Sequence, residues 1–125
     1  MYAVIFESLP SGDGGEEYRR IAQQIGEMEK DQEGLISRTT YEDVSGGGMR
    51  LSLSFWESEE AIEKWRNHAL HRAAQTLGRE TFYKHYRLRV AKVVRDYAMD
   101  DREEAPADSE TFWAKHFLKF GAGGS

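Results

Sequence analysis

The apolar residues of this chain alternate between two rhythms, one suited to strands and one to helices. Tyr2–Phe6 is a short apolar run closed by Leu9-Pro-Ser-Gly-Asp-Gly-Gly15, which predicts a strand and a turn. From Glu16 to Lys30, Tyr18, Ile21, Ile25 and Met28 recur at spacings of three and four, which predicts an amphipathic helix stopping near Gly34. Leu35–Glu42 and Met49–Trp56 are rich in strand formers and flank Asp43-Val-Ser-Gly-Gly-Gly48, the pattern of a hairpin with a glycine tip. A second helix follows, with Ser58 as its cap and Glu59 and Glu60 complementing its positive end, and it stops near Gly78. Tyr86–Tyr97, containing Val90-Ala-Lys-Val-Val94, reads as a long final strand.

The predicted order is β-α-β-β-α-β, that of the ferredoxin-like split βαβ unit, an α+β fold with an antiparallel sheet. In Met49-Arg-Leu-Ser-Leu-Ser-Phe55 the odd positions are apolar and the even ones small or polar, while the last strand is apolar at adjacent positions. Two helices cover one face of such a sheet. The other face is expected to meet a second copy about a two-fold axis, so the chain is expected to form a homodimer.

A length of 125 residues with 39% hydrophobic content supports one core rather than two. The 22 acidic and 17 basic residues give a net charge of −5, which disfavours nucleic acid and anionic membrane surfaces as partners. Without cysteine there are no disulfides, thiol nucleophiles, iron–sulfur clusters or thiolate zinc sites. The N-terminal run Met1–Glu7 lacks the basic flank and length of a signal peptide, and no other apolar stretch approaches bilayer length. The expectation is a cytoplasmic protein.

Most of the candidate chemistry lies on the second helix. At about 100° per residue, Ala61, Ile62, Trp65, His68, Ala69 and Arg72 share one face, with His71 about 60° beyond His68. Sharper motifs are excluded. His68 and His71 are one residue short of the His-x-x-x-His spacing and lack the general-base Glu of zinc peptidases, so no metal site is expected. Gly12-Asp-Gly-Gly15 lacks the Lys-Ser/Thr ending of a phosphate loop and is followed by two acids, and no Gly-x-Ser-x-Gly elbow occurs.

The element order, the hairpin ending in Ser54-Phe-Trp-Glu-Ser-Glu-Glu60, the helix with Trp65 and His71, and the closing strand together resemble the antibiotic biosynthesis monooxygenase superfamily of dimeric α/β barrels, over about residues 2–97. The family includes cofactor-independent oxygenases of aromatic polyketides and heme-degrading enzymes. The resemblance implies a small aromatic substrate and O₂, with a phenol, hydroquinone or anthrone supplying its own reducing power and no cofactor. His68 and His71 would then serve as base, and Arg72 or Arg38 would hold the oxyanion. Trp65, with Tyr41 and Phe55 where they face inward, would stack on a planar substrate. The alternative is heme. The heme-degrading pattern has an Asn on the first strand and a heme-ligating His about three helical turns after the Trp. Here Glu7 and Gln75 stand in those places, which leaves His68 or His71 as heme ligands.

Every one of these residues also has a structural reading. Trp65 and Trp56 can be core, His68 a hydrogen-bonded structural histidine, and Arg38 and Arg72 partners of Glu7 or neighbouring acids. A chain of this kind can then be a non-catalytic barrel that binds a hydrophobic ligand or a protein partner. The expected division is a domain over 1–97 and an extension over 98–125. In that extension an acidic linker precedes a short helix capped by Ser109 and bearing Phe112, Trp113, Phe117 and Phe120, and then a Gly-rich tail.

Overall fold

The computed structural model describes the backbone of residues 1–11, 15–76 and 83–111, and within the two helices the side chains of 19–30 and 59–68. The elements are β1 (Tyr2–Pro10), α1 (Gly15–Lys30), β2 (Leu35–Glu42), β3 (Arg50–Trp56), α2 (Glu59–Thr76) and β4 (Tyr83–Lys92). The order is the one predicted. The sheet runs β2-β3-β1-β4, and every neighbouring pair is antiparallel.

The last strand differs from its expected bounds of Tyr86–Tyr97. It begins at Tyr83 and ends at Lys92, because β1 supplies partners only from Pro10 back to Tyr2 and leaves Val93 and Val94 no neighbour to pair with. The chain divides into two compact units, Met1–Lys92 and Val93–Ser125.

Both helices lie on one face of the sheet, where Trp56, Ala61 and Ile62 form a buried cluster with Tyr2, Val4, Leu35 and Trp65 packed around it. Trp56 is fully buried, and its indole N–H donates to Ser54 Oγ at 2.9 Å, which removes the cost of enclosing a polar atom. The cap of α2 is as expected, with Ala61 N–H donating to Ser58 Oγ at 3.1 Å. Gly34 joins the helices to the sheet. Its φ is +88°, its carbonyl accepts from Glu57 N–H at 2.8 Å, and a Cβ there would stand 2.5 Å from the Ala61 Cβ. Glycine is required at this position both for its conformation and for the approach of α2.

The hairpin tip is closed by Asp43, which accepts from the Ser45 N–H and hydroxyl at 2.9 and 2.6 Å. Those bonds hold the Asp43 carboxyl below its ordinary pKa. In the second unit, the expected linker is ordered around Arg102, whose Nε donates to Glu110 Oε1 at 2.7 Å and whose guanidinium lies 5.1 Å from the Tyr97 ring centroid. The helix there is already formed at residues 107–111, with Glu110 N–H bonded to the Pro106 carbonyl, so Ser109 is an inner residue rather than the cap. Phe112, Trp113, Phe117 and Phe120 lie outside the described residues.

Candidate active site

Strand alternation decides which side chains face the helices. On β1 they are Tyr2, Val4, Phe6 and Ser8, and on β3 they are Arg50, at the start of the strand, and Ser52, Ser54 and Trp56. Directly opposite on β4 stand Tyr86, Leu88 and Val90. Beneath the helices the floor therefore consists of small hydroxyl side chains beside an apolar border. Serines there take up less room than the aliphatic residues usual in a helix–sheet core.

Both edge strands break the alternation, each with a bulge. In β2 the register shifts between Leu35 and Ser37, so Leu35 pairs with Trp56 and Arg38 with Ser54, and both face the helices. In β4 a shift opposite Leu9 and Pro10 brings Tyr83 to the helix side beside Tyr86. Phe6, Tyr83 and Tyr86 pack as a group of three rings, with centroids 5.6, 5.9 and 5.7 Å apart. Tyr86, Leu88 and Val90 keep about half of their surface, which makes this end the accessible side of the helix-covered face.

At the other end Arg38 reaches α1. Its Nε lies 2.8 Å from Oε1 of Glu29, and a Cβ at Gly26 would stand 3.2 Å from its Nη1, so the guanidinium runs against the helix backbone. Glu29 is buried. Burial raises its pKa above the ordinary carboxylate value, against the pull of the Arg38 charge and of hydrogen bonding from the Trp65 side chain. Trp65 is half-buried, and the exposed His68 stands next to it, with ring centroids 6.2 Å apart.

Of the sequence candidates, the structure gathers Arg38, Trp65 and His68 on the helix side. Tyr41 and Phe55 lie on the opposite face, opposite Leu51 and Ala3 respectively, so neither walls a site with Trp65. Tyr41 instead lines a shallow depression of about 270 Å³ at the hairpin, with Glu7, Asp43, Met49 and Leu51. The side chains of His71, Arg72 and Gln75 lie outside those described. Arg38 pairs with Glu29 and not with Glu7, which faces away from the helices and pairs with Arg89 at 3.1 Å. Among the described residues, no group of three or more His, Asp or Glu side chains converges as a metal-ligand set.

Glu29, Phe6, Tyr83 and Tyr86 were not singled out by the sequence. Glu29 had a readable signal, since it continues the buried row Ile21, Ile25 at four-residue spacing. Tyr83 had none, because only the bulge turns it toward the helices.

An antiparallel β2-β3-β1-β4 sheet with both helices on one side defines a ferredoxin-like α+β protein. Residues 1–77 match the antibiotic biosynthesis monooxygenase family, and the chain belongs to it. It is 39% identical over 95 residues to the uncharacterized protein YqjZ of Bacillus subtilis, covering 75% of this chain and 80% of that protein. It is 38% identical over 93 residues to a jasmonate monooxygenase of Pyricularia oryzae, covering 74% of this chain but only 43% of that longer protein. Among solved structures, SnoaB, a cofactor-independent oxygenase from Streptomyces nogalater, superposes with a TM-score of 0.62 at 9% identity, over 76% of this chain and 94% of that one. MhuD with two manganese protoporphyrin IX molecules per active site superposes with a TM-score of 0.60 at 18% identity, over 78% and 99%. These two share the fold with the chain. Among the described residues, no helix is long and apolar enough to cross a membrane.

Proposed function

We propose that this chain is a monooxygenase that oxidises a small electron-rich aromatic molecule with O₂, without a cofactor, in the space between the helices and the sheet. The observation that carries the reading is the make-up of the helix-covered face. An aromatic group of Phe6, Tyr83 and Tyr86 borders a floor of Ser8, Ser52 and Ser54, with Arg38 and Trp65 at its far side. Flat apolar walls suit a planar ring, and a serine floor leaves space and hydroxyl donors for its oxygens.

The substrate is both reductant and oxygen acceptor. For an anthrone, a base removes a proton from the ring methylene and the carbanion reduces O₂ and bonds to it. Loss of water from the resulting peroxide leaves a quinone carbonyl, so one oxygen atom enters the product and the other leaves as water. His68, beside Trp65, is the base in this reading, and the Arg38 guanidinium balances the developing enolate. His71 and Arg72 follow His68 along α2 and keep their proposed roles in proton transfer and anion binding.

The reading also includes a homodimer. Ile5, Leu51, Leu53 and Phe55 share the face opposite α1 and α2, and a second copy packed there would remove them from water.

Oxygen uptake with 1,8-dihydroxyanthrone tests the reaction. The protein should consume one O₂ per substrate without added heme or reductant, and His68→Ala should lower the rate by about 10²-fold with little change in melting temperature. Uptake no faster than the spontaneous reaction would remove the monooxygenase reading. A stoichiometric Soret shift with hemin, lost in His68→Ala or His71→Ala, would replace it with the heme reading.

A further inference from the structure

Glu29 occupies a place where the helix pattern calls for an aliphatic residue. It follows Ile21 and Ile25 on the inner side of α1 and is 6% exposed, although a carboxylate is costly to strip of water. An aliphatic side chain would fill the same row without that cost. Its surroundings show what the carboxylate does. Arg38 reaches it from β2, Gly26 one turn earlier leaves room for the guanidinium, and the Trp65 side chain on α2 favours its charged form. One side chain of α1 thus pairs with Arg38 on β2 and has its charge favoured by Trp65 on α2, two residues of the candidate site. Its Oε1 is enclosed without an aligned hydrogen-bond donor, since Arg38 Nε stands 2.8 Å away but off the donor axis. The group is a clamp held by charge, and each half depends on its ionisation.

We propose that Glu29 is a positioning residue of the active site, holding the Arg38 guanidinium and the Trp65 indole in the orientation that receives the substrate. Its catalytic consequence rests on the monooxygenase reading, whereas the clamp belongs to the fold. Arg38 and Trp65 both have long or wide side chains on the rim of the site. Losing the carboxylate between them frees both to turn, and misplacement of this kind lowers kcat/KM without touching the reacting atoms. Among the described residues, Arg38 is the charged group that faces Glu29 from β2. Trp65 faces it from α2, and His68 beside Trp65 is the neighbouring titratable group on that helix.

The test follows the indole N–H resonances of the full chain by ¹H–¹⁵N NMR, with the Trp65 signal identified by its loss in Trp65→Phe. If Glu29 holds the indole, that signal should move with pH about a midpoint above 4.5, as the Glu29 carboxylate takes up a proton. The movement should persist in His68→Gln and vanish in Glu29→Gln. In Arg38→Met the midpoint should rise further, because the charge that favours the carboxylate is gone. With 1,8-dihydroxyanthrone, Glu29→Gln should lower kcat/KM by about 10- to 100-fold, and Glu29→Asp should restore part of it.

A Trp65 titration unchanged in Glu29→Gln overturns the proposal, whatever the turnover, and so does unchanged kcat/KM in that variant. Should Glu29→Gln fail to fold, Arg38→Met decides, and an unmoved midpoint there overturns the clamp. A parent protein without oxygen uptake whose Trp65 titration is lost in Glu29→Gln removes the monooxygenase reading and supports the clamp.

Discussion

Strand β3 shows Ser52, Ser54 and Trp56 to the helices and Leu51, Leu53 and Phe55 to the opposite side. Burying apolar side chains is the dominant favourable contribution to folding, and on this strand Trp56 is the apolar residue that turns to the helices. Here the helix-covered face is anchored at one end by Trp56, Ala61 and Ile62, and further along it holds serines, an ion pair and an aromatic rim. The opposite face carries Ile5 on β1 and Leu51, Leu53 and Phe55 on β3. The comparison separates two tasks. The face toward α1 and α2 combines a small core with the serines, ion pair and rings of the proposed site, and the opposite face carries the apolar row that the proposed dimer would bury.

If the covered face is anchored where Trp56 sits, Trp56→Ala should be the most damaging change, costing about 3–5 kcal/mol. Urea unfolding should show that loss at every protein concentration. Leu53→Asp tests the other face. It should weaken association by about 2–4 kcal/mol, so that light scattering falls from about twice the 14.4 kDa chain mass to a single copy. A parent that scatters as a monomer at all concentrations would sink the assignment of that face to a second copy.

Gly34→Ala sharpens the picture of how α2 reaches the sheet. A methyl group there meets the Ala61 Cβ on a backbone with φ of +88°, and the cost should be about 2–3 kcal/mol, read as a lower urea midpoint.

The smallest effect belongs to Glu29. Its folded pKa is raised, so the stability it contributes is fully present below 4.5 and is lost as pH rises through the folded value. The melting temperature of the parent relative to Glu29→Gln should therefore fall as the pH is raised from below 4.5 through the titration of Glu29 in the folded protein. A difference that stays flat or rises over that range would mean that Glu29 is charged in the folded state at no cost.

The element order was readable because periodicity reports directly on which residues are hidden. Ile21, Ile25 and Met28 mark α1, and Ser58 followed by Glu59 and Glu60 marks the start of α2. The odd apolar positions of β3 likewise marked Leu51, Leu53 and Phe55 as one row, which lies on the face opposite α1 and α2. Trp65 and His68 could be placed on one side of α2 from spacing alone. What spacing could not give was the end of each edge strand, since β4 stops at Lys92 only because β1 offers it no further partner.

The make-up of the candidate site depended on tertiary structure for the same reason. Strict alternation from Leu35 would turn Arg38 away from the helices, and from Tyr86 it would not bring in Tyr83. One bulge in each edge strand reverses both. Tyr41 and Phe55 had the right chemistry for a pocket wall, yet pairing with β3 and β1 places them on the other side of the sheet. The sequence by itself determined the elements, their order and the face of α2 that carries Trp65, because those follow from local repeats of apolar side chains. Which side chains meet in the space between helices and sheet was decided by strand register, and register is set by pairing between segments far apart in the chain.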